Sequence, residues 1–312
     1  MRSHNTAEWD KVCAELEKDP KTSLETLAEA HKYASEAFQA AEHWKPAVAH
    51  MRRHAEILRA KFLKYKNSRE CADAYLYLNK LCMTVQLPAD AAEAASEGLK
   101  YLPQARTKSE QADVDEIHAR LVFAKLDALW TLARPAGTIK EAQAVLNLDL
   151  RPTFRDAAHA YYVRAFLHES RPREAIAEAQ RALRASSETE YKIWIERDMA
   201  QAYFNVQDYK SAEREFRRCL RDATEEQQHV ITTDQARLGL AETMHALKRY
   251  DEELSLIEET VAWQTENEGH AWGTLLVRLY DACKASGNME PIRRYKKQYE
   301  TWVSPGERHP LD

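Results

Sequence analysis

Residues 201–220 read QAYFNVQDYKSAEREFRRCL, two helix-like pieces joined at Gln207-Asp208. Small Ala200, Ala202 and Ala212 are interleaved with large Tyr203, Tyr209 and Phe216. Helices that pack about 8–10 Å apart need small residues where their axes come nearest. The spacing therefore sets Ala200 against Ala212, with Tyr203 and Phe216 filling the space beside that contact. Just upstream, VRAFLHESRPREAIAEAQRAL (163–183) is a loose copy, and KRYDEELSLIEETV (248–261) is another. Ala175, Ala212 and Glu253 take the same slot in the first turn of the second helix, 37 and then 41 residues apart. Weaker echoes are Ala142 in GTIKEAQAVL, Ala91 in LPADAAEAASEGL and Ala47 in HWKPAVAHM. A period in this range, with two helices per unit, signals a helical repeat array.

The rest of the chain agrees. Of 312 residues, 44% are hydrophobic, while only 7 are glycine and 10 proline. The abundant Ala, Glu, Leu, Arg and Lys favour helix, so the chain reads as all-α. Caps and prolines predict a leading helix at 6–18, then pairs at 22–42 with 46–66, 67–86 with 88–102, and 109–134 with 138–148. They continue at 153–170 with 172–185, 187–205 with 208–222, 225–247 with 250–267, and 270–286 with 288–302. Pro135-Ala136-Gly137 is read as a break, with Thr138 capping the helix that follows. One continuous solenoid over 1–303 is expected, with its best repeats at 153–302, divergent ones at 22–152, and a flexible tail at 304–312.

No run of apolar residues is long enough to span a membrane, and the N-terminus lacks the apolar core of a secretory leader. Five scattered cysteines without a Cys-x-x-Cys fit reduced, packed thiols in a cytoplasmic or nuclear protein. A net charge of −5 with both signs interspersed speaks against nucleic acid and membrane as partners.

The repeated residues resemble the tetratricopeptide repeat (TPR) family. Its pattern of about 34 positions runs Trp-x-x-Leu-Gly/Ala-x-x-Tyr, Ala-x-x-x-Phe, Ala and Pro. The matches are Met199-Ala200, Tyr203, Tyr209, Ala212, Phe216 and Cys219-Leu220. Another unit offers Tyr162-Val163, Phe166, Ala175, Ala179 and Ala182-Leu183, and a third Leu240-Ala241, Tyr250 and Ile257 with Glu253 in the alanine slot. The resemblance implies a right-handed α-solenoid of about seven helix-turn-helix pairs behind an extra N-terminal helix.

Motifs for catalysis are missing: the sequence has no His-Glu-x-x-His, no Gly-rich phosphate loop and no Gly-x-Ser-x-Gly. No cofactor is implied. His50 and His54, one turn apart, are too few for a structural metal site and are expected to be half-buried or surface histidines. Arg293, Arg294, Lys296 and Lys297 are expected on a solvated face. Cys71 and Cys82 are expected in the core.

In the family, the first helix of each pair lines an inner wall. Carrying those positions over assigns partner binding to Arg134, Arg164, His168, Arg197, Gln201, Asn205, Glu242 and His245. Asp73, Lys80 and Met83, and Glu29, Lys32 and Glu36, also fall on that wall. Arg134, Arg164 and Arg197 look equivalent in three adjacent units. Stacked guanidinium groups bind carboxylates, and Asn or Gln clamps a peptide backbone. The competing reading is that the arginines pair with Asp127, Glu196 or Glu242 inside the protein. The clamp with which co-chaperone TPR domains grip the C-terminal carboxylate of heat-shock proteins is disfavoured, since no three consecutive first helices supply its Lys/Asn/Arg set. The expected function is a non-enzymatic scaffold or adaptor that binds a peptide or helix of a partner, possessing an acidic segment, in its groove. The alternatives are a peptide-gated regulator and an all-α enzyme using Asp127, His168 and Glu242.

Overall fold

The computed structural model describes residues 6–62, 69–105, 107–147, 152–185, 189–223, 231–269, 271–304 and 306. Every element in them is helical. A leading helix α1 (Thr6–Lys18) precedes α2 (Leu24–Ala40) paired with α3 (Trp44–Phe62), α4 (Arg69–Thr84) with α5 (Pro88–Gly98), and α6 (Lys108–Thr131) with α7 (Pro135–Leu146). The pairs continue as α8 (Pro152–His168) with α9 (Pro172–Ala185), α10 (Thr189–Asn205) with α11 (Tyr209–Asp222), and α12 (Ile231–Ala246) with α13 (Tyr250–Glu268). Last, α14 (Gly273–Ser286) meets a partner broken at Tyr295 into α15 (Glu290–Arg294) and α16 (Lys296–Trp302). Seven pairs behind one leading helix match the sequence expectation, except that the last helix is two pieces. The chain divides into two compact units, Met1–Tyr161 and Tyr162–Asp312. Predicted boundaries at 66–67, 148, 187, 225 and 270, and the expected tail of 304–312 except residues 304 and 306, lie outside the described residues.

Six hairpin turns are copies of one another. Glu42, Gln86, Ala133, Ser170, Gln207 and Lys248 all have φ between 51° and 63°, a left-handed state that non-glycine residues adopt only at a cost. Backbone hydrogen bonds compensate. Gln207 N–H donates to Phe204 O at 2.9 Å and Asp208 N–H to Tyr203 O at 3.0 Å, and the other five turns repeat both bonds. Each turn satisfies the last carbonyls of the first helix and starts the second.

Counting from these turns fixes the repeat register. Five residues after the left-handed residue stand Ala47, Ala91, Thr138, Ala175, Ala212 and Glu253, all with no exposure. The third is a correction, because Thr138 takes the slot expected for Ala142, one turn further on. The cause is Pro135, which does not break α7 but opens it, where its missing N–H is harmless. Seven residues before each turn lie Ser35, Asn79, Leu126, Val163, Ala200 and Ala241, all buried. Ala200 and Ala212 share one core cluster with Phe216, Leu240 and Met244. Gly239 belongs to that contact: a Cβ there would lie 2.3 Å from the Phe216 ring. Helix α6 begins at Lys108 behind a full capping box of Thr107 and Glu110, a Thr-x-x-Glu signal that is legible in the sequence.

All five cysteines are buried thiols outside any disulfide. Burial pushes the Cys71 and Cys219 thiols up to about 12, and Cys82 up to about 11, so these are packed thiols with little nucleophilic character. Arg293, Arg294, Lys296 and Lys297 are exposed, as expected.

Candidate functional site

The second unit holds seven of the eight residues expected to bind a partner. Arg164 on α8 and Arg197 on α10 converge on one buried carboxylate, Asp198. Arg164 Nε donates to Asp198 Oδ2 at 3.0 Å, and Arg197 Nε donates to Oδ1 at 2.8 Å. Arg197 Nη1 also donates to Gln235 on α12. The Arg164 guanidinium lies over the Trp194 ring, 5.0 Å from its centre. Both side chains are mostly covered, at 18% and 13% exposure. An internal pairing of the arginines was the competing sequence reading, but the acid is Asp198 rather than Asp127, Glu196 or Glu242. Asp198 was missed because it follows Arg197 directly, and neighbours along a helix do not face each other; only the fold brings Arg164 to it across 34 positions.

The turn register also separates the three arginines. Arg197 lies ten residues before its turn residue and Arg164 six before its own, while Arg134 immediately follows Ala133. Arg134, in the first unit, is therefore an exposed N-cap of α7 and lies on no first-helix face. The slot of Arg164 is filled by Gln201 on α10 and Glu242 on α12. Gln201 Nε2 donates to Asn205 Oδ1 at 3.1 Å. His168 is exposed at the end of α8.

Glu242 and His245 belong to a further cluster. Glu253 takes the alanine slot of α13, fully buried. Its Oε2 lies 2.8 Å from His245 Nδ1 and its Oε1 3.7 Å from Arg278, which is also 3.9 Å from Glu242. Five other acids in this unit (Glu178, Glu196, Asp198, Glu215 and Asp234) are buried and each meets an arginine. Glu196 is the most constrained. Arg218 Nε approaches its Oε1 to 3.0 Å but not in hydrogen-bond alignment, and neither oxygen has a hydrogen-bond donor. Burial therefore outweighs the Arg218 and Lys192 charges and raises this carboxyl to about 7.

The first unit contains an open cleft of about 580 Å³ between α2, α3 and α4. Ala28, Met51, Leu58, Ala74 and Tyr77 make its apolar lining. Around them stand five carboxylates, Glu25, Glu29, Glu36, Glu70 and Asp73, against two lysines, Lys32 and Lys61. Glu25 and Lys61 are 3.6 Å apart. The His54 ring is anchored by Nδ1 at 2.7 Å from Ala28 O, and Tyr77 donates its hydroxyl to Gln39 at 2.9 Å. Sequence reasoning put Glu29, Lys32, Glu36 and Asp73 on this wall. It missed Lys61, His54, Met51 and Leu58, because they come from α3 and only first helices were carried over. Of the three residues of the enzyme reading, Asp127 Oδ1 accepts the Tyr161 hydroxyl at 3.2 Å, Glu242 lies 3.9 Å from Arg278, and His168 is exposed at the end of α8.

No family model matches the sequence, and no curated protein does. Solved structures do match. A tetratricopeptide repeat protein from Parabacteroides merdae aligns with 90% of this chain and 94% of its own, at 12% identity and a TM-score of 0.58. The signal transduction ATPase with a tetratricopeptide repeat sensor from Pyrococcus horikoshii aligns with 95% of this chain and 46% of its own, at 13% identity and 0.55. The apo form of RapI aligns over 88% and 96%, at 10% identity and 0.50. The chain thus has an all-α, TPR-like helical repeat fold.

Proposed function

We propose that this protein is a non-enzymatic interaction scaffold that holds a segment of a protein partner in the cleft of its first unit. The observation that carries this reading is the cleft itself: an apolar lining large enough for one or two side chains, ringed by five carboxylates and two lysines. Such a surface suits a peptide or helix that presents an aliphatic side chain beside Lys or Arg, since complementary charge steers and orients an encounter. The fold supports the reading because helix pairs of this kind expose a polar wall on rigid elements; fold alone does not fix function. The test is fluorescence anisotropy with two labelled peptides, one leucine-lysine-arginine rich and one acidic. The basic peptide is expected to bind, more weakly as salt rises, and to lose at least tenfold in affinity with Glu29→Lys/Glu36→Lys. Equal binding by that variant would remove the cleft from the proposal.

A second reading keeps the acidic partner segment. The guanidinium groups of Arg164 and Arg197 meet at Asp198, and Gln201 and Asn205 stand on the same helix as Arg197. If the acidic peptide binds, and Arg164→Glu/Arg197→Glu abolishes it, the face of α8 and α10 is the site, with His168, Glu242, His245 and Arg134 left to be tested singly in the same assay.

A further inference from the structure

The sequence pairs His50 with His54, but the fold pairs it with His31. The two Nδ1 atoms face each other at 2.9 Å, His31 on α2 and His50 on α3. Cys13 of α1 completes the group: its sulfur and one nitrogen of each ring lie within 4.8 Å of one another. All three are well covered, Cys13 and His31 buried and the His50 side chain 12% exposed.

The outer nitrogens face carboxylates. His50 Nε2 lies 2.9 Å from Asp10 Oδ1, and His31 Nε2 lies 3.3 Å from Glu17 Oε1. The second approach is not aligned as a hydrogen bond, so His31 Nε2 is a buried polar atom without one. Carboxylates on the outer nitrogens favour the N–H there. With both N–H groups outside, the two Nδ1 atoms point lone pairs at each other. Two acceptors 2.9 Å apart repel unless a proton or a cation sits between them.

We propose that Cys13, His31 and His50 form a zinc-type metal site, with Asp10 and Glu17 as its outer carboxylates. One sulfur and two imidazole nitrogens suit Zn²⁺ and disfavour Mg²⁺ or Ca²⁺, which take oxygen. Nitrogens bound at about 2.0–2.1 Å in a tetrahedron stand about 3.3 Å apart, so the His31–His50 gap opens by only about 0.4 Å. Cys13 binds as thiolate and releases its proton to solvent, while both imidazoles bind neutral. Three protein ligands leave one tetrahedral position for water or an incoming donor. The exposed Asp10 marks the edge from which the ion enters. The site clamps α1 onto the first pair, because each helix supplies one ligand.

The experiment is titration of the metal-stripped full chain with Zn²⁺ in competition with a chromophoric chelator, and with Co²⁺ as a spectroscopic probe. One equivalent of Zn²⁺ is expected, together with a thiolate-to-cobalt charge-transfer band. Cys13→Ser should abolish the band, and His31→Gln and His50→Gln should each weaken uptake by more than about 100-fold, beyond the 10- to 100-fold expected of the outer variants Asp10→Asn and Glu17→Gln. His54→Gln, one turn from His50, should leave binding unchanged. Asp10 is largely exposed, so Asp10→Asn reports on the site even if a core variant fails to fold. No stoichiometric uptake, a cobalt spectrum without the thiolate band, or affinity unmoved by Cys13→Ser and Asp10→Asn would overturn the assignment, and a shared proton would then hold the two rings together.

Discussion

Among the described residues the two units differ in the carboxylates they bury, one in the first and six in the second. Among the described residues of the first, Asp156 is the one buried carboxylate, and the other buried polar side chains are His31, Ser35, Asn79, Thr138 and His159. Two of them solve the same packing problem. Ser35 and Asn79 each stand seven residues before a turn, and each donates to the carbonyl of the slot residue opposite, Ala47 at 2.8 Å and Ala91 at 2.8 Å. Asn79 reaches on to Ala124 of the next first helix at 3.2 Å. In the second unit the same places hold Ala200 and Ala241, and beside buried Thr232, Thr233, Thr243, Thr260 and Gln264 the described residues include six buried carboxylates that meet arginines. One fold thus tolerates two kinds of interior glue. Amide and hydroxyl bonds are indifferent to pH and salt; buried ion pairs are sensitive to pH, and removing one partner leaves the other unsatisfied.

The largest effect should follow from stripping Asp198 of both partners. Arg164→Met/Arg197→Met leaves a buried carboxylate unpaired and should cost about 3–5 kcal/mol, measured by urea unfolding with circular dichroism. A loss under about 1 kcal/mol would mean that the ionic interior of the second unit contributes little, and the contrast would collapse.

Next comes Glu196. Its folded carboxyl sits at about 7 against 4.5 for the free group, so the native state binds the proton more tightly than the unfolded chain. The contribution of this group to stability is then fully present at and below pH 4.5 and is lost as pH rises through about 7. Glu196→Gln should remove that decline, worth on the order of 3 kcal/mol. Parallel pH profiles for the two proteins would contradict the assigned cause.

Two smaller changes compare the units directly. Asn79→Ala in the first orphans carbonyls and should cost about 1–3 kcal/mol, the same at low and high salt. Ala212→Leu in the second overpacks the helix crossing and should cost a similar amount, about 1–3 kcal/mol. A melting temperature unmoved by Ala212→Leu would show that the register counted from the turns is wrong.

These residues also show what the sequence could disclose. Ala175 and Ala212 were legible because a small residue recurs behind a turn and beside an aromatic. Thr138 was not, because a proline just after a turn reads equally as a stop or a start, and here it is a start. Glu253 was recognised as an oddity in an alanine slot, but its partners His245 and Arg278 lie on α12 and α14 and no local pattern links all three. The site followed the same rule. Wall positions on first helices, such as Glu29, Glu36 and Asp73, transfer by register. Pairings across helices do not: Arg164 with Asp198 is 34 residues apart and His31 with His50 is 19, and neither spacing is privileged until the helices are placed.

The six left-handed turns carry a last consequence. Their residues are Glu, Gln, Ala, Ser, Gln and Lys, all exposed, so main-chain bonds alone define the clasp. Successive clasps are 44, 47, 37, 37 and 41 residues apart, and the excesses over the shortest are close to one, two and three turns of helix at 3.6 residues per turn. Material inserted between clasps in whole turns returns every side chain to its old bearing. Such a chain can grow in length, lose its family's spelling, and still close each pair in the same manner, which is how a repeat can outlive the sequence signature that first defined it.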